Sequence, residues 1–370
     1  MSTSRISAVV LTAAAALGLA ACGSSSSTTP SSSSTGSTAK IAPATIDGAG
    51  STLAAPIYMQ WASNVKSQGL TVNYSAVGSG TGVADLESGT VDFAGSDPPL
   101  ASADLTAIDK KGKPAQFPMA FGAITVSYNL PGVKSGLKLD GTTIADIYLG
   151  NIKTWNDPAI AALNPGVTLP STPITVIHRS DSSGTSAGFT GFLAAVDPEW
   201  LKKVGPGSKE PAWPTGTGAK GNAGVAGAVE QTTGAVGYVE QAYALQHNFT
   251  YASVKNKAGN FVAPTLASTS AAAEGIEVPA NLGFKIKNPS SPQAYPITSQ
   301  TFVVLYKDMC KAGVPGGKTA AEGVVKFLDY GLGAGQSILS KADYAALPAA
   351  ILAKSKEAVG GLECEGSPLS

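Results

Sequence analysis

Apolar residues recur along this chain in two rhythms. Ile57, Trp61 and Val65 are four apart, the step of a core-facing helical stripe. Pro56 suits the first turn of that helix and Gly69 ends it. Leu70-Thr-Val-Asn-Tyr74 then predicts a strand, Gly78-Ser-Gly-Thr-Gly82 opens a short helix through Leu86, and Val91-Asp-Phe-Ala94 predicts a second strand. Further on, Ile174-Thr-Val-Ile177 predicts a buried strand, followed by a helix with Phe189, Phe192 and Leu193 on one face. Longer apolar strands are expected over Phe121–Asn129, Gly234–Glu240 and Pro296–Tyr306. Residues 205–224, rich in Gly, Pro and Lys, read as loop, and 318–330 and 341–357 read as helices. There is no internal repeat. Strand, turn and helix follow one another repeatedly, which predicts an open α/β sheet. In such sheets ligands bind at the carboxyl ends of the strands, where these turns would gather.

The turns carry the chemistry. Arg179-Ser-Asp-Ser-Ser-Gly-Thr185 joins a strand to a helix with hydroxyls, a glycine and one arginine. A helix N-terminus offers free N–H groups and partial positive charge, and the guanidinium fork matches two oxygens of a tetrahedral oxyanion. Asp181 stands where it can brace that fork. Taken alone, the stretch is better read as a helix cap beside a surface Arg–Asp pair. Ser51 and Thr52 on a Gly-rich turn, Gly78-Ser-Gly-Thr-Gly82, and Gly95-Ser-Asp-Pro-Pro99 with Asp97 repeat the chemistry and favour a shared anion site.

Composition removes other classes. With 370 residues the chain is long enough for two domains. Lys+Arg and Asp+Glu balance at 25 each, which argues against nucleic-acid binding. Three cysteines and two histidines show no metal-ligand spacing, so neither a metal nor a cofactor is expected. Arg5, the apolar run Ile6–Ala21 and the small residues before Cys22 form a signal peptide over 1–21, and Leu19-Ala-Ala-Cys22 resembles a bacterial lipobox. Cys22 is therefore expected to carry lipid, palmitate included. Residues 22–43 would form a disordered Ser-rich tether to the membrane surface. Cys310 and Cys364 are then the remaining cysteines of an exported chain and are expected to pair.

Gly48-Ala-Gly-Ser-Thr-Leu-Ala-Ala-Pro56, Gly78-Ser79, Phe93-Ala-Gly-Ser-Asp97, Asp146-Ile-Tyr-Leu-Gly150, Thr154-Trp155 and Arg179–Thr185 together resemble the phosphate-binding proteins of Pst-type ABC importers. Trp213-Pro214, Gly234–Glu240 and Tyr295-Pro-Ile-Thr298 extend the match over the mature chain. The resemblance implies a type II periplasmic-binding-protein fold, with two α/β lobes joined by two crossover strands near Phe121 and Pro296. Lobe I would hold 44–121 and 298–370, and lobe II 122–297. It implies that Thr52, Leu53, Ser79, Asp97, Arg179, Ser183, Gly184 and Thr185 surround inorganic phosphate. Thr52, Ser79, Ser183 and Thr185 would donate hydroxyls, Leu53 and Gly184 backbone N–H groups, and Arg179, held by Asp181, the positive charge. It further implies an extracytoplasmic lipoprotein that hands phosphate to membrane permease subunits served by a cytoplasmic ATPase. Leu53 departs from the Phe common in the family, and Cys310 and Cys364 lie outside its common pattern.

Asp97 is the odd member, since a carboxylate repels an anion unless that anion carries a proton to donate. Phosphate near neutral pH does and sulfate does not, so Asp97 is expected to act as a filter. The competing reading is a secreted serine esterase. Gly184-Thr-Ser186-Ala-Gly188 matches the Gly-x-Ser-x-Gly nucleophile elbow, with Asp197 and His247 following in hydrolase order. His247 looks like a helix-end residue and there is no His-Gly-Gly motif, so an enzyme is not expected. Nucleotide binding through Gly78–Gly82 fails on spacing. A surface protein that only retains the fold is the remaining alternative.

Overall fold

The computed structural model describes residues 43–369. The expected signal peptide, Cys22 and all of the expected tether except its last residue, 43, lie outside them. Nine strands form the main sheet: β1 (Ala44–Gly50), β2 (Leu70–Ala76), β3 (Phe93–Ser96), β4 (Pro114–Tyr128), β5 (Thr175–Arg179), β6 (Thr217–Ala219), β7 (Ala235–Glu240), β8 (Thr250–Tyr251) and β9 (Thr298–Tyr306). Their order is β2-β1-β3-β9-β4-β7-β5-β6, with β8 pairing on β4. β1, β2 and β3 are parallel, as are β7, β5 and β6, while β9 and β4 run antiparallel between the two sets. This is the two-lobed type II α/β architecture.

β4 is the seam. It pairs with β9 along Pro114–Ala123 and with β7 along Ile124–Tyr128. From Gln116 onward every residue of β4 is buried, as in a strand covered on both faces. It starts seven residues earlier than the apolar run Phe121–Asn129 suggests. Pro114 and Pro118 hide that extension, because proline does not fit a central ladder. Here the register shifts between Thr301 and Phe302, so Ala120 and Pro118 face consecutive residues of β9 and Pro118 sits beside the bulge.

Two aromatic clusters anchor the halves. Helix α1 (Ala55–Lys66) buries the stripe Ile57, Trp61 and Val65, and its Tyr58 and Trp61 pack against Phe327 and Tyr74. Across the seam, Tyr238 stacks on Phe189 with centroids 4.3 Å apart, flanked by Tyr148 and Trp213. Each fully buried aromatic contributes roughly 1.5–3 kcal/mol by burial. These clusters lie behind the turns and hold the strand ends in place.

Two expectations change. Residues 205–224 are not all loop, since β6 and the start of a helix, α4 (Gly221–Gln231), fall within them. The helix expected over 341–357 covers Ala349–Val359, preceded by a 3-10 helix over Ala334–Ala342, because Pro348 cannot continue a helix from the residue before it. Cys310 and Cys364 are joined in a disulfide that ties the chain's end to the segment after β9. No helix among the described residues is long and apolar enough to cross a membrane, and no cluster of metal-ligating side chains occurs among them.

Candidate functional site

The parallel registers bring the carboxyl ends of β1, β2 and β3 level, with Gly50 opposite both Ala76 and Gly95. Gly50 has φ near +141°, and the Gly95 carbonyl occupies the space a side chain would need. The chain therefore turns tightly at Ser51 and delivers Ser51, Thr52 and Leu53 beside Asp97. All four are buried. β5 ends at Arg179 in the other half. Helix α3 (Gly184–Val196) follows, capped by Ser183 Oγ, which accepts from Ser186 N at 3.1 Å. The first N–H groups of a helix lack intrahelical acceptors, so Gly184 and Thr185 present theirs to the turn.

The two sets of turns meet. Gly80 N, in helix α2 (Ser79–Ser88), donates to Ser182 O at 3.0 Å. Gly78 has φ near +98°, and a Cβ there would come within 2.6 Å of Asp181 Oδ2. Tyr243 donates its hydroxyl to Thr52 O at 2.8 Å. Thr52, Leu53, Ser79 and Asp97 are thus gathered against Arg179, Asp181, Ser183, Gly184 and Thr185. Each residue of the expected phosphate set lies on one of these converging turns.

Arg179 is held as a fork. Its Nε and Nη2 donate to the two oxygens of Asp181, the first at 2.7 Å, while Nη1 donates to Thr185 Oγ1 at 3.2 Å. The side chains of Arg179 and Asp181 are 1% and 9% exposed. Burial pushes the Asp181 carboxyl up, but the Arg179 bonds and charge and the Gly221 N–H, 3.0 Å away, outweigh it and hold Asp181 below the usual carboxylate range. The arginine's charge is therefore already neutralised by its brace. An anion placed here would be held by the number and direction of its donors rather than by net charge.

Asp97 brings a second carboxylate, one that no arginine braces. It takes Ser51 Oγ–H at 2.5 Å on Oδ1 and Ser79 Oγ–H at 3.3 Å on Oδ2. Burial pushes its carboxyl up to about 6, against the pull of the Ser51 bond, the Arg179 charge and the Ser79 bond. As a carboxylate it can accept a hydrogen bond from a ligand that carries a proton.

Several partners escaped sequence reading. Ser51 is visible on its turn, but its bond to Asp97 is not. Asn222, Tyr238, Tyr243 and Tyr344 come from distant segments. Tyr238 hydroxyl accepts from Arg179 N at 3.0 Å and pairs with Ser186 Oγ at 2.6 Å, and Tyr344 donates to Leu53 O at 2.5 Å. Only Asn222 left a local signal: Gly221-Asn222 precedes Val225 and Val229, four apart, the start of a helix inside a stretch that otherwise looks like loop.

The esterase constellation does not assemble. Ser186 Oγ is engaged by Tyr238, Asp197 Oδ1 accepts Trp200 N at 2.7 Å as a helix cap, and His247 Nδ1 lies 2.9 Å from Glu230 Oε2 at the surface.

A family model described as a PBP superfamily domain matches residues 26–333. The chain is 41% identical over 314 residues to the phosphate-binding protein PstS of Pasteurella multocida, covering 84% of this chain and 88% of that one. It is 35% identical over 359 residues to the phosphate-binding protein PstS3 of Mycobacterium bovis, covering 92% and 94%. Among solved structures, it superposes with a TM-score of 0.71 on a high affinity periplasmic phosphate-binding protein, PfluDING, bound with phosphate, at 23% identity over 87% of this chain and 96% of that one. A phosphate-binding protein from Stenotrophomonas maltophilia gives a TM-score of 0.65 at 20% identity, covering 85% and 93%. With its matched seam, paired parallel sets and converging turns, the chain belongs to the PBP superfamily and, within it, to the family of the PstS phosphate-binding proteins.

Proposed function

We propose that this protein binds inorganic phosphate between its two lobes and delivers it to an ABC importer. One observation carries the reading: a buried, pre-braced guanidinium stands among oriented hydroxyls and helix N-termini, facing a single buried carboxylate. Thr52, Ser183 and Thr185 supply hydroxyls, Ser79 turns to the ligand the proton it otherwise gives Asp97 Oδ2, Leu53 and Gly184 supply N–H groups, and Arg179 supplies the N–H group left free on each Nη. Asp97 accepts a hydrogen bond from the proton that phosphate retains. Hydrogen bonds to a charged group contribute roughly 1.5–3 kcal/mol each, so a handful reaches micromolar affinity or tighter, about −8 kcal/mol.

The lobes divide as 44–121 with 298–370, and 122–297, supported by the exchange of β4 partners between Ala123 and Ile124. The protein is extracytoplasmic, held at the membrane by lipid on Cys22, and meets the importer's permease subunits while the ATPase works on the other side. It performs binding rather than catalysis.

Calorimetry on protein unfolded, dialysed free of anion and refolded tests this. One phosphate per chain should bind with micromolar affinity or better, and sulfate should give no heat. Equal binding of both anions, or of neither, sinks the reading.

A further inference from the structure

Asn222 belongs to none of the glycine-hydroxyl turns, yet every polar atom of its side chain is used. It is fully buried at the second position of α4. Its Oδ1 accepts Glu240 N at 3.0 Å. A backbone N–H can only donate, so this bond fixes which end of the carboxamide is oxygen. Nδ2 must then face the two threonines, and it donates to Thr52 Oγ1 at 2.8 Å and to Thr185 Oγ1 at 3.1 Å. The backbone N–H of Asn222 also donates to Thr52 Oγ1, at 3.2 Å.

A hydroxyl has two acceptor lone pairs and one proton. Thr52 Oγ1 receives two N–H groups, both from Asn222. Thr185 Oγ1 also receives two, from Asn222 Nδ2 and Arg179 Nη1. Both oxygens have their accepting capacity filled, so each is left only a proton to give. An isolated threonine hydroxyl could present either a proton or a lone pair to a ligand. These two can present only protons.

We infer that Asn222 is a positioning residue that fixes the donor sense of the Thr52 and Thr185 hydroxyls and, because Thr52 lies on the β1–α1 turn and Asn222 on α4, does so across the cleft. The inference rests on the proposed phosphate site. Donor orientation is then set by closure itself: Thr52 is locked as a donor only when the two halves meet. A ligand that is all acceptor is favoured over one that must donate at these two positions.

The test measures phosphate affinity by calorimetry in the full chain and in Asn222→Ala and Asn222→Asp, with folding followed by circular dichroism. Asn222→Asp keeps the shape but replaces a donor with an acceptor, so both threonines can turn their protons to it. It should lose phosphate affinity by at least about tenfold more than Asn222→Ala, since the donor sense of two hydroxyls is reversed and a negative charge is added. In a double-mutant cycle, Thr52→Val should cost at least about fivefold less in the Asn222→Ala background than in the native one. Multiplicative effects, or a lowered Tm with unchanged affinity, would reduce Asn222 to a structural role and overturn the inference. Native protein that takes up no phosphate would instead overturn the reading beneath it. Should the variants not fold, neutron diffraction of the phosphate-loaded native protein decides. The deuterons on Thr52 Oγ1 and Thr185 Oγ1 should point to ligand oxygens, and either one pointing to Asn222 would refute the assignment.

Discussion

Gly184 and Asp97 meet across the cleft: the place where a Gly184 side chain would begin is already held by the Asp97 carboxylate and the Ser79 hydroxyl. Helix α3 therefore starts with a residue whose value lies in lacking a Cβ. Its φ is not in the left-handed region, so alanine suits the backbone and only the closed arrangement objects.

Gly184→Ala should accordingly fold normally while losing phosphate affinity by at least about tenfold, because two buried polar groups on the facing turns must move apart. Calorimetry alongside thermal melting checks this. Unchanged affinity would mean that the facing turns need not meet when ligand is held.

Arg179 and Ser79 should differ in weight. Arg179→Met takes the guanidinium donors from the ligand and leaves the buried Asp181 carboxylate without a charge partner, a loss on the order of 3–5 kcal/mol. Asp181 would then lose the bonds that hold it below the usual carboxylate range, and burial would push it up. Ser79→Ala removes one hydroxyl and should cost about 1–3 kcal/mol. Titrations showing the two variants equally mild would count against the fork as the centre of the site.

How much of this was legible beforehand follows from what is local. Thr52, Ser79, Asp97 and Arg179 each sit on a short turn whose glycines, hydroxyls and flanking apolar runs are visible in a few residues, and parallel sheet geometry gathers such turns at one edge. Asn222 was missed because its partners are Thr52, Thr185 and Glu240, which are remote in sequence, and because the Gly-rich stretch before it imitates loop. The tyrosines Tyr238, Tyr243 and Tyr344 read as core residues, and only tertiary packing aims their hydroxyls at Arg179, Thr52 and Leu53. Pro118 concealed half of β4 because the bulge that accommodates it depends on β9, nearly two hundred residues later.

The Cys310–Cys364 bond closes a 54-residue separation, for which chain entropy gives at most about 4 kcal/mol. Asp308 also holds the tail, accepting Glu365 N and Gly366 N at 2.9 Å each, so some order survives without the bond. Cys310→Ser with Cys364→Ser should lower Tm by several degrees while phosphate affinity stays as in the parent, since neither residue is near the cleft turns. A fall in affinity at full folding would show that the C-terminal tail bears on the site.

The last prediction concerns Asp97 and pH. Burial pushes its carboxyl up to about 6 from an ordinary 3.8. Between those values the folded chain binds more protons than the unfolded one, so stability falls as pH rises through the window. Above it the buried carboxylate costs about 3 kcal/mol. Asp97→Asn removes that cost, so the ligand-free variant should melt higher near pH 7 and lose the slope between about pH 4 and 6. The same substitution should reverse selectivity. The native carboxylate accepts a hydrogen bond from the phosphate hydroxyl but sets like charges and lone pairs against fully deprotonated sulfate. A site whose buried polar group is left unpaired rejects the analogue by roughly 10⁴–10⁵. An asparagine N–H at that position can face a sulfate oxygen, so Asp97→Asn should gain measurable sulfate affinity and lose some for phosphate. In the native protein, sulfate should begin to bind as pH falls below about 6, where the protonated carboxyl becomes a donor. Titration of both anions into both proteins across this range measures all of it. If sulfate stays excluded from a folded variant that still takes phosphate, the filter is not Asp97, and the fixed directions of the hydroxyl and N–H donors must do the selecting.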